Sequence, residues 1–390
     1  MRDDHREETK IVHTGRHPFD HFGIVNTPVF RASTILNASY EDYKAPKGER
    51  DPRYGRRGTP TIFTFEDAIA TVEGGAGCIA TPSGVSAIAV SLMAFLQQGD
   101  HMLMVDCVYG PARKLASTVL PRMGVETTFF DPAIGAGIKD MIRPNTKVVY
   151  LESPGSQTFE MQDIPAIADV ARKAGAKVLI DNTWASPLFF KPYDHGVDVS
   201  IHAATKYIVG HSDVMLGAVT ANAESIGPLR EMWGNMGIPG APDDVWLATR
   251  GFRTIKVRLE QHQKNAMEIA TWLEGRPEVD RVLYPALPSH PGHALWKRDF
   301  LGASGLFSFV LKSHEAASIP AFINGLELFG LGASWGGFES LVIPANPSGN
   351  RTATTWSGPG PIRLHIGLES VDDLKEDLTA ALGRAAAASG

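Results

Sequence analysis

From Thr59 to about Arg250, short β-branched runs alternate with Ala-rich helical segments, and this alternation limits the possible folds more than any other feature of the chain. Strands separated by helices pair in parallel, because the helix carries the chain back across the sheet and covers one of its faces. The pattern predicts strands over Met102–Asp106, Lys147–Glu152, Lys177–Asp181, Val197–His202 and Met215–Thr220. It predicts helices over Gly84–Gln97 and Ile164–Ala174, each with a glycine close behind its end.

The flanks read differently. Residues 1–58 carry Pro28, Pro46, Pro52 and the charged stretch KGERDPRYGRR, which predicts an irregular arm. After Gly251, Ile255, Leu259, Ala266, Ile269 and Leu273 recur every three to seven residues, the period of a long amphipathic helix joining two domains. Beyond it, strands over Gly305–Leu311 and Ile362–Gly367 and a helix over Val371–Leu382 predict a smaller α+β domain with a frayed AAAASG tail. The expected organisation is an arm (1–58), an α/β domain with a mostly parallel central sheet and helices on both faces (59–250), and a C-terminal α+β domain (251–390).

Charge and cysteine content narrow the function. Lys and Arg number 37 against 43 Asp and Glu, a formal charge of -6, which argues against nucleic acid as the main partner. Two cysteines, Cys78 and Cys107, are too few for a disulfide framework and lack the spacing of a zinc or redox motif. No apolar run reaches the roughly 18 residues of a membrane helix, and MRDDHREETK has no signal-peptide core. A cytoplasmic protein with neither membrane nor metal is the expectation.

Several side chains fall where chemistry is done in α/β folds, at the carboxyl ends of strands. Lys206, in HAATKYIVG, follows a strand; a desolvated lysine there has the free amine that carbonyl chemistry needs, although a surface lysine would also suit the position. Asp181 ends KVLID, 25 residues earlier, and could pair with a pyridinium nitrogen or cap the next segment. Thr81-Pro82-Ser83-Gly84-Val85 enters a helix, forming either an anion cradle or an ordinary Ser-capped helix start. Tyr54 and Arg56 could clamp a phosphate or belong to a solvated arm. Tyr109 could stack on a planar cofactor or simply be half-buried. Arg363, on an apolar strand, is shaped for bidentate carboxylate recognition. Ser334-Trp335-Gly336-Gly337 is a pocket wall or a packing corner.

Two patterns are set aside. Gly75-Ala76-Gly77-Cys78-Ile79-Ala80 matches a dinucleotide fingerprint but precedes a strand rather than linking strand to helix. His13, His17 and His21 recur every four residues, yet Gly15 and Pro18 break any helix that would align them.

Nine blocks, taken in order, resemble the Cys/Met-metabolism pyridoxal-phosphate-dependent enzymes, of aspartate-aminotransferase-like fold: RYGRRGTPT (53–61), TPSGV (81–85), VYG (108–110), LESPGSQTFE (151–160), IDNTWA (180–185), AATKYIVGHSD (203–213), GLFSFVLK (305–312), SWGGFESL (334–341) and IRLHIGLE (362–369). The resemblance implies that Lys206 holds pyridoxal 5'-phosphate and moves the proton, Asp181 pairs with the ring nitrogen, and Tyr109 stacks on the ring. It implies that Gly84, Val85 and Thr205 bind the phosphate, joined by Tyr54 and Arg56 of a neighbouring subunit in a homotetramer built as a dimer of dimers. Arg363 would grip the carboxylate of a sulfur amino acid, with Ser334 and Trp335 beside it and Tyr54 within reach. Trp184 and Trp335 resemble the β-lyase branch, which implies β-elimination of cystathionine in methionine biosynthesis. Cysteine desulfhydrase, the γ-lyases and γ-synthases, and a non-catalytic homologue are the alternatives.

Overall fold

The computed structural model describes residues 5–48, 50–349 and 351–388. Seven strands form the larger sheet: β1 (Gly77–Thr81), β2 (His101–Val105), β3 (Glu126–Phe130), β4 (Thr146–Glu152), β5 (Lys177–Asp181), β6 (Val199–His202) and β7 (Gly217–Ala221). Their spatial order is β1-β7-β6-β5-β4-β2-β3. All neighbours are parallel except those of β7, which runs against both β1 and β6. The predicted strands recur within two residues, and the mostly parallel sheet is present. The reversal of β7 has a plain cause: the connection from β6 to β7 carries Lys206 but no crossover helix, so the chain turns back beside the strand it left. β1, β2 and β7 are buried along their whole length, as strands covered on both faces must be.

Five further strands form the second sheet: β8 (Val279–Leu283), β9 (Leu306–Leu311), β10 (Gly330–Leu331), β11 (Leu341–Pro344) and β12 (Ile362–His365), in the order β10-β11-β12-β9-β8. The helix Ile255–Glu274, which comes between the two sheets along the chain and packs on β8 and β9, buries Ile255, Leu259, Ala266, Ile269 and Leu273 along one stripe, the periodicity read from the sequence.

Two expectations need correction. The first 58 residues are not wholly irregular: Glu7–His13 is a helix, tied down by buried Ile11, by the Ile11 carbonyl accepting from Arg253 Nη1 at 2.6 Å, and by the Lys191–Glu7 pair at 2.7 Å. The predicted frayed tail is helical over Ala385–Ala387, where the last helix, Val371–Ala387, ends with Leu374, Leu378, Ala381, Leu382 and Ala385 buried; Ser389 and Gly390 lie outside the described residues. Alanine has the highest helix propensity, and Ala385 still meets the core, so the poly-Ala stretch continues the helix.

Candidate active site

A cleft of about 320 Å³ opens at the carboxyl ends of β4, β5 and β6, with loops of the second sheet as its roof. Lys206, Asp181, Tyr109, Gly84, Val85, Thr205, Ser334, Trp335 and Arg363 all line it. One parallel pairing explains much of this convergence. β5 and β6 are adjacent, with Asp181 opposite Ile201, so the residues that follow β6 return over Asp181.

The Lys206 amine donates to Ser334 Oγ at 2.7 Å and lies 5.3 Å from the centre of the Trp335 ring. Burial, followed by the charge of Arg363, pushes its pKa down to about 8, with Asp181 opposing the shift. A useful fraction of free amine therefore exists near neutral pH. Arg363 is only 8% exposed, and burial brings its pKa to about 10. Its Nη2 donates weakly to the carbonyls of Ala333 and Ser334, at 3.2 and 3.3 Å, and among the described residues no carboxylate pairs with it. An anionic group entering the cleft meets a desolvated guanidinium.

Asp181 is raised above its ordinary range by burial, against the hydrogen bonds from Thr183. Both of those bonds fall on Oδ1, from the Thr183 N–H at 3.0 Å and from its hydroxyl at 2.5 Å. The Thr183 hydroxyl in turn accepts the Ala203 N–H at 2.9 Å, linking the ends of β5 and β6. Oδ2 remains available to a donor in the cleft, and a cationic N–H there would relieve the desolvation of the carboxylate.

The helix Gly84–Phe95 supplies the opposite wall. Ser83 and Ser86 form a reciprocal capping box at its start, so Ser83 caps the helix while Gly84 and Val85 line the cleft. The Ser-capped helix start read from the sequence is present. Gly84 is required for space: a Cβ there would lie 2.7 Å from the Ala203 Cβ and block the approach of the lysine loop. The Thr205 hydroxyl bonds to the Leu216 carbonyl at 3.1 Å and accepts the Leu216 N–H at 2.9 Å, which fixes its position at the same end.

Tyr54 and Arg56 are not in this cleft. Tyr54 OH accepts from Ser33 Oγ at 3.3 Å, Arg56 donates to the Gly234 carbonyl, and neither is among the residues lining the cleft of its own chain.

Sequence reasoning gave no role to Glu152, which stands half-buried in the cleft wall and accepts the Tyr109 N–H at 2.7 Å. The available signal was its place at the end of the run KVVYLE, the position that singled out Asp181. Thr183 was missed for a different reason, since its role rests on hydrogen bonds between strand ends.

The donor set suits pyridoxal phosphate: an aldehyde-reactive amine, a buried carboxylate for a ring N–H, an aromatic ring, and a helix start for a phosphate. Such a sheet, with a depressed lysine at a strand end, defines the class of fold-type-I pyridoxal-phosphate enzymes. A family model, "Cys/Met metabolism PLP-dependent enzyme", matches residues 8–383, and the chain belongs to that family. A relative from Rhizobium johnstonii called a putative cystathionine beta-lyase is 52% identical, covering 97% of this chain and 96% of its own. The cystathionine beta-lyase of Escherichia coli is 45% identical over 98% of this chain and 99% of its own. The solved structure of cystathionine gamma synthase from Xanthomonas oryzae pv. oryzae, with aminoacrylate and cysteine, superposes at a TM-score of 0.90 with 35% identity, covering 98% and 99% of the two chains.

Proposed function

We propose that this enzyme is a carbon–sulfur lyase that splits L-cystathionine by β-elimination to homocysteine, pyruvate and ammonia, within methionine biosynthesis. The observation that carries the reading is the graded likeness: near-full-length relatives at 52% and 45% identity bear the β-lyase name, against 35% for the γ-synthase structure. Trp184 and Trp335, both lining the cleft, add bulk consistent with the β-lyase branch.

In this reading Arg363 holds the substrate α-carboxylate, and Ser334, bonded to Lys206 and adjacent to the guanidinium, sets the distance between grip and base. Pyridoxal phosphate, when bound, supplies a carbonyl for the substrate amine and a ring that accepts electrons. Asp181 would hold the protonated ring nitrogen, and Tyr109 would pack against the ring. Lys206 Nζ removes the Cα proton; as the Cβ–S bond breaks, the same atom delivers a proton to the departing sulfur. Water then completes the balance, releasing ammonia and pyruvate.

The reading extends to assembly. Phe19, Phe22 and Leu36 are almost wholly exposed, and Tyr40 and Tyr43 largely so, on the segment that leads to Tyr54 and Arg56. An apolar set of this size on one segment favours cover by a second copy of the chain. That copy would receive Tyr54 and Arg56 at its own cofactor phosphate, in a cytoplasmic homotetramer with shared sites. Product analysis tests the reaction: incubation with L-cystathionine should give homocysteine and pyruvate, whereas cysteine and 2-oxobutyrate would overturn it.

A further inference from the structure

The connection between β11 and β12 crosses from the second sheet onto the first and closes around one carboxylate. Asp106, immediately after β2, has a fully buried side chain. Its Oδ1 accepts the Thr352 N–H at 3.0 Å. Its Oδ2 accepts the Ala353 N–H at 3.1 Å, the Thr354 N–H at 2.8 Å and the Thr354 hydroxyl at 2.7 Å. Arg113 pairs with the same carboxylate and also donates to the Asp106 carbonyl at 3.0 Å. Burial alone would raise the pKa of Asp106, but the bonds from Thr352 and Thr354 and the charge of Arg113 outweigh it and hold the carboxyl below its usual range.

A second tie lies beside the first. Arg351 pairs with Glu160 at 2.7 Å and donates to Thr158 Oγ1 at 2.5 Å. Both acceptors belong to the segment whose Gln157 and Phe159 line the cleft. The base of the connection is closed by the Ala345 N–H on the Pro361 carbonyl at 2.8 Å, and two residues later stands Arg363. A strap thus runs from two anchors on the cofactor side, one of them three residues before Tyr109, to the guanidinium on β12.

We propose that Asp106 is a positioning residue: by clasping residues 352–354 it fixes where Arg363 stands relative to Lys206, and so sets how tightly the substrate carboxylate is held. The inference rests on the reading of Arg363 as the carboxylate grip. A clasp of three convergent N–H groups needs an acceptor-only partner. In Asp106→Asn, an amide would turn donors toward donors and release the strap with little change in volume.

The test uses the cofactor-loaded enzyme and L-cystathionine. Asp106→Asn should raise KM roughly ten- to a hundredfold, as a small misplacement of a binding group does. Cofactor content should be unchanged and kcat retained at saturating substrate. Hydrogen exchange at residues 351–361 should accelerate. Thr354→Val and Arg351→Gln, milder cuts at the same clasp, should shift KM in the same direction by about threefold and keep the test decisive if Asp106→Asn does not fold. Arg363→Ala, run in parallel, should raise KM about a hundredfold. A normal KM in Arg363→Ala would remove the carboxylate reading on which the proposal depends. A raised KM there together with a normal KM in the clasp variants would overturn the positioning role alone. Loss of stability with both KM and kcat unchanged would make the clasp merely structural.

Discussion

Glu152 and Asp181 stand opposite each other in register at the carboxyl ends of β4 and β5, so two half-buried carboxyl groups share one wall of the cleft. They cannot ionise equally. Burial and then the charge of Asp181 push Glu152 well above the usual carboxylate range, while the Tyr109 N–H pulls only weakly the other way. Under the proposed function, Asp181, held by two bonds from Thr183, would carry the charge for the ring nitrogen, and Glu152 would serve as a neutral acceptor for the Tyr109 N–H.

A neutral acceptor can be replaced by an amide. Glu152→Gln should keep its cofactor and turn over within about threefold of the parent, whereas Glu152→Ala, which strips the Tyr109 N–H of its partner, should lose about tenfold. The sign of the pH effect follows from linkage. With its pKa raised in the fold, Glu152 makes the native state bind a proton that the unfolded chain releases above its ordinary pKa, so its contribution to stability falls as pH rises. The stability advantage of Glu152→Gln over the parent should therefore grow as the pH rises above the ordinary carboxylate pKa in denaturant titrations. A Gln variant as inactive as the Ala variant would show that the charge itself is needed.

Lys206 makes a prediction for the enzyme stripped of cofactor. Only the free amine attacks an aldehyde, and the amine is favoured here by burial and by Arg363. The rate of pyridoxal phosphate uptake should rise with pH through a midpoint near about 8. Arg363→Ala, which removes a like charge, should move that midpoint upward. Stopped-flow absorbance reads both, and a midpoint near an ordinary lysine value in the parent would contradict the desolvated site.

The separation of Tyr54 and Arg56 from the cleft of their own chain predicts complementation between subunits. Two inactive variants, Lys206→Ala and Arg56→Ala, should recover up to about a quarter of the parent activity when mixed in equal amounts and re-associated at random, since about half of the dimers are then mixed and one of the two sites in each regains both groups. No recovery would place these two residues outside a shared site.

How much of this was legible in the sequence depended on the kind of contact involved. Strands β2, β4 and β5 and the helices beside them follow from local periodicity, so their places were readable to within two residues. Asp181, Lys206 and Arg363 were found because a charged group at the end of, or within, an apolar run is conspicuous. Glu152 has the same signature but lacked a chemical role until the Tyr109 N–H was seen to meet it. The Asp106 clasp could not be foreseen, because three of its donors are backbone N–H groups some 246 to 248 residues away along the chain, and backbone groups leave no trace in sequence. The helix Glu7–His13 was hidden by its brevity and by the prolines that follow it; its stability comes from packing Ile11 rather than from propensity.

The most direct measurement is chemical. Borohydride reduction of the cofactor-loaded enzyme makes the lysine–cofactor bond permanent, and peptide mass mapping then locates the label. The label is predicted on Lys206 alone, with none in Lys206→Ala. A label on another lysine, or its persistence in that variant, would show that the cleft at the ends of β5 and β6 is not where the cofactor is held.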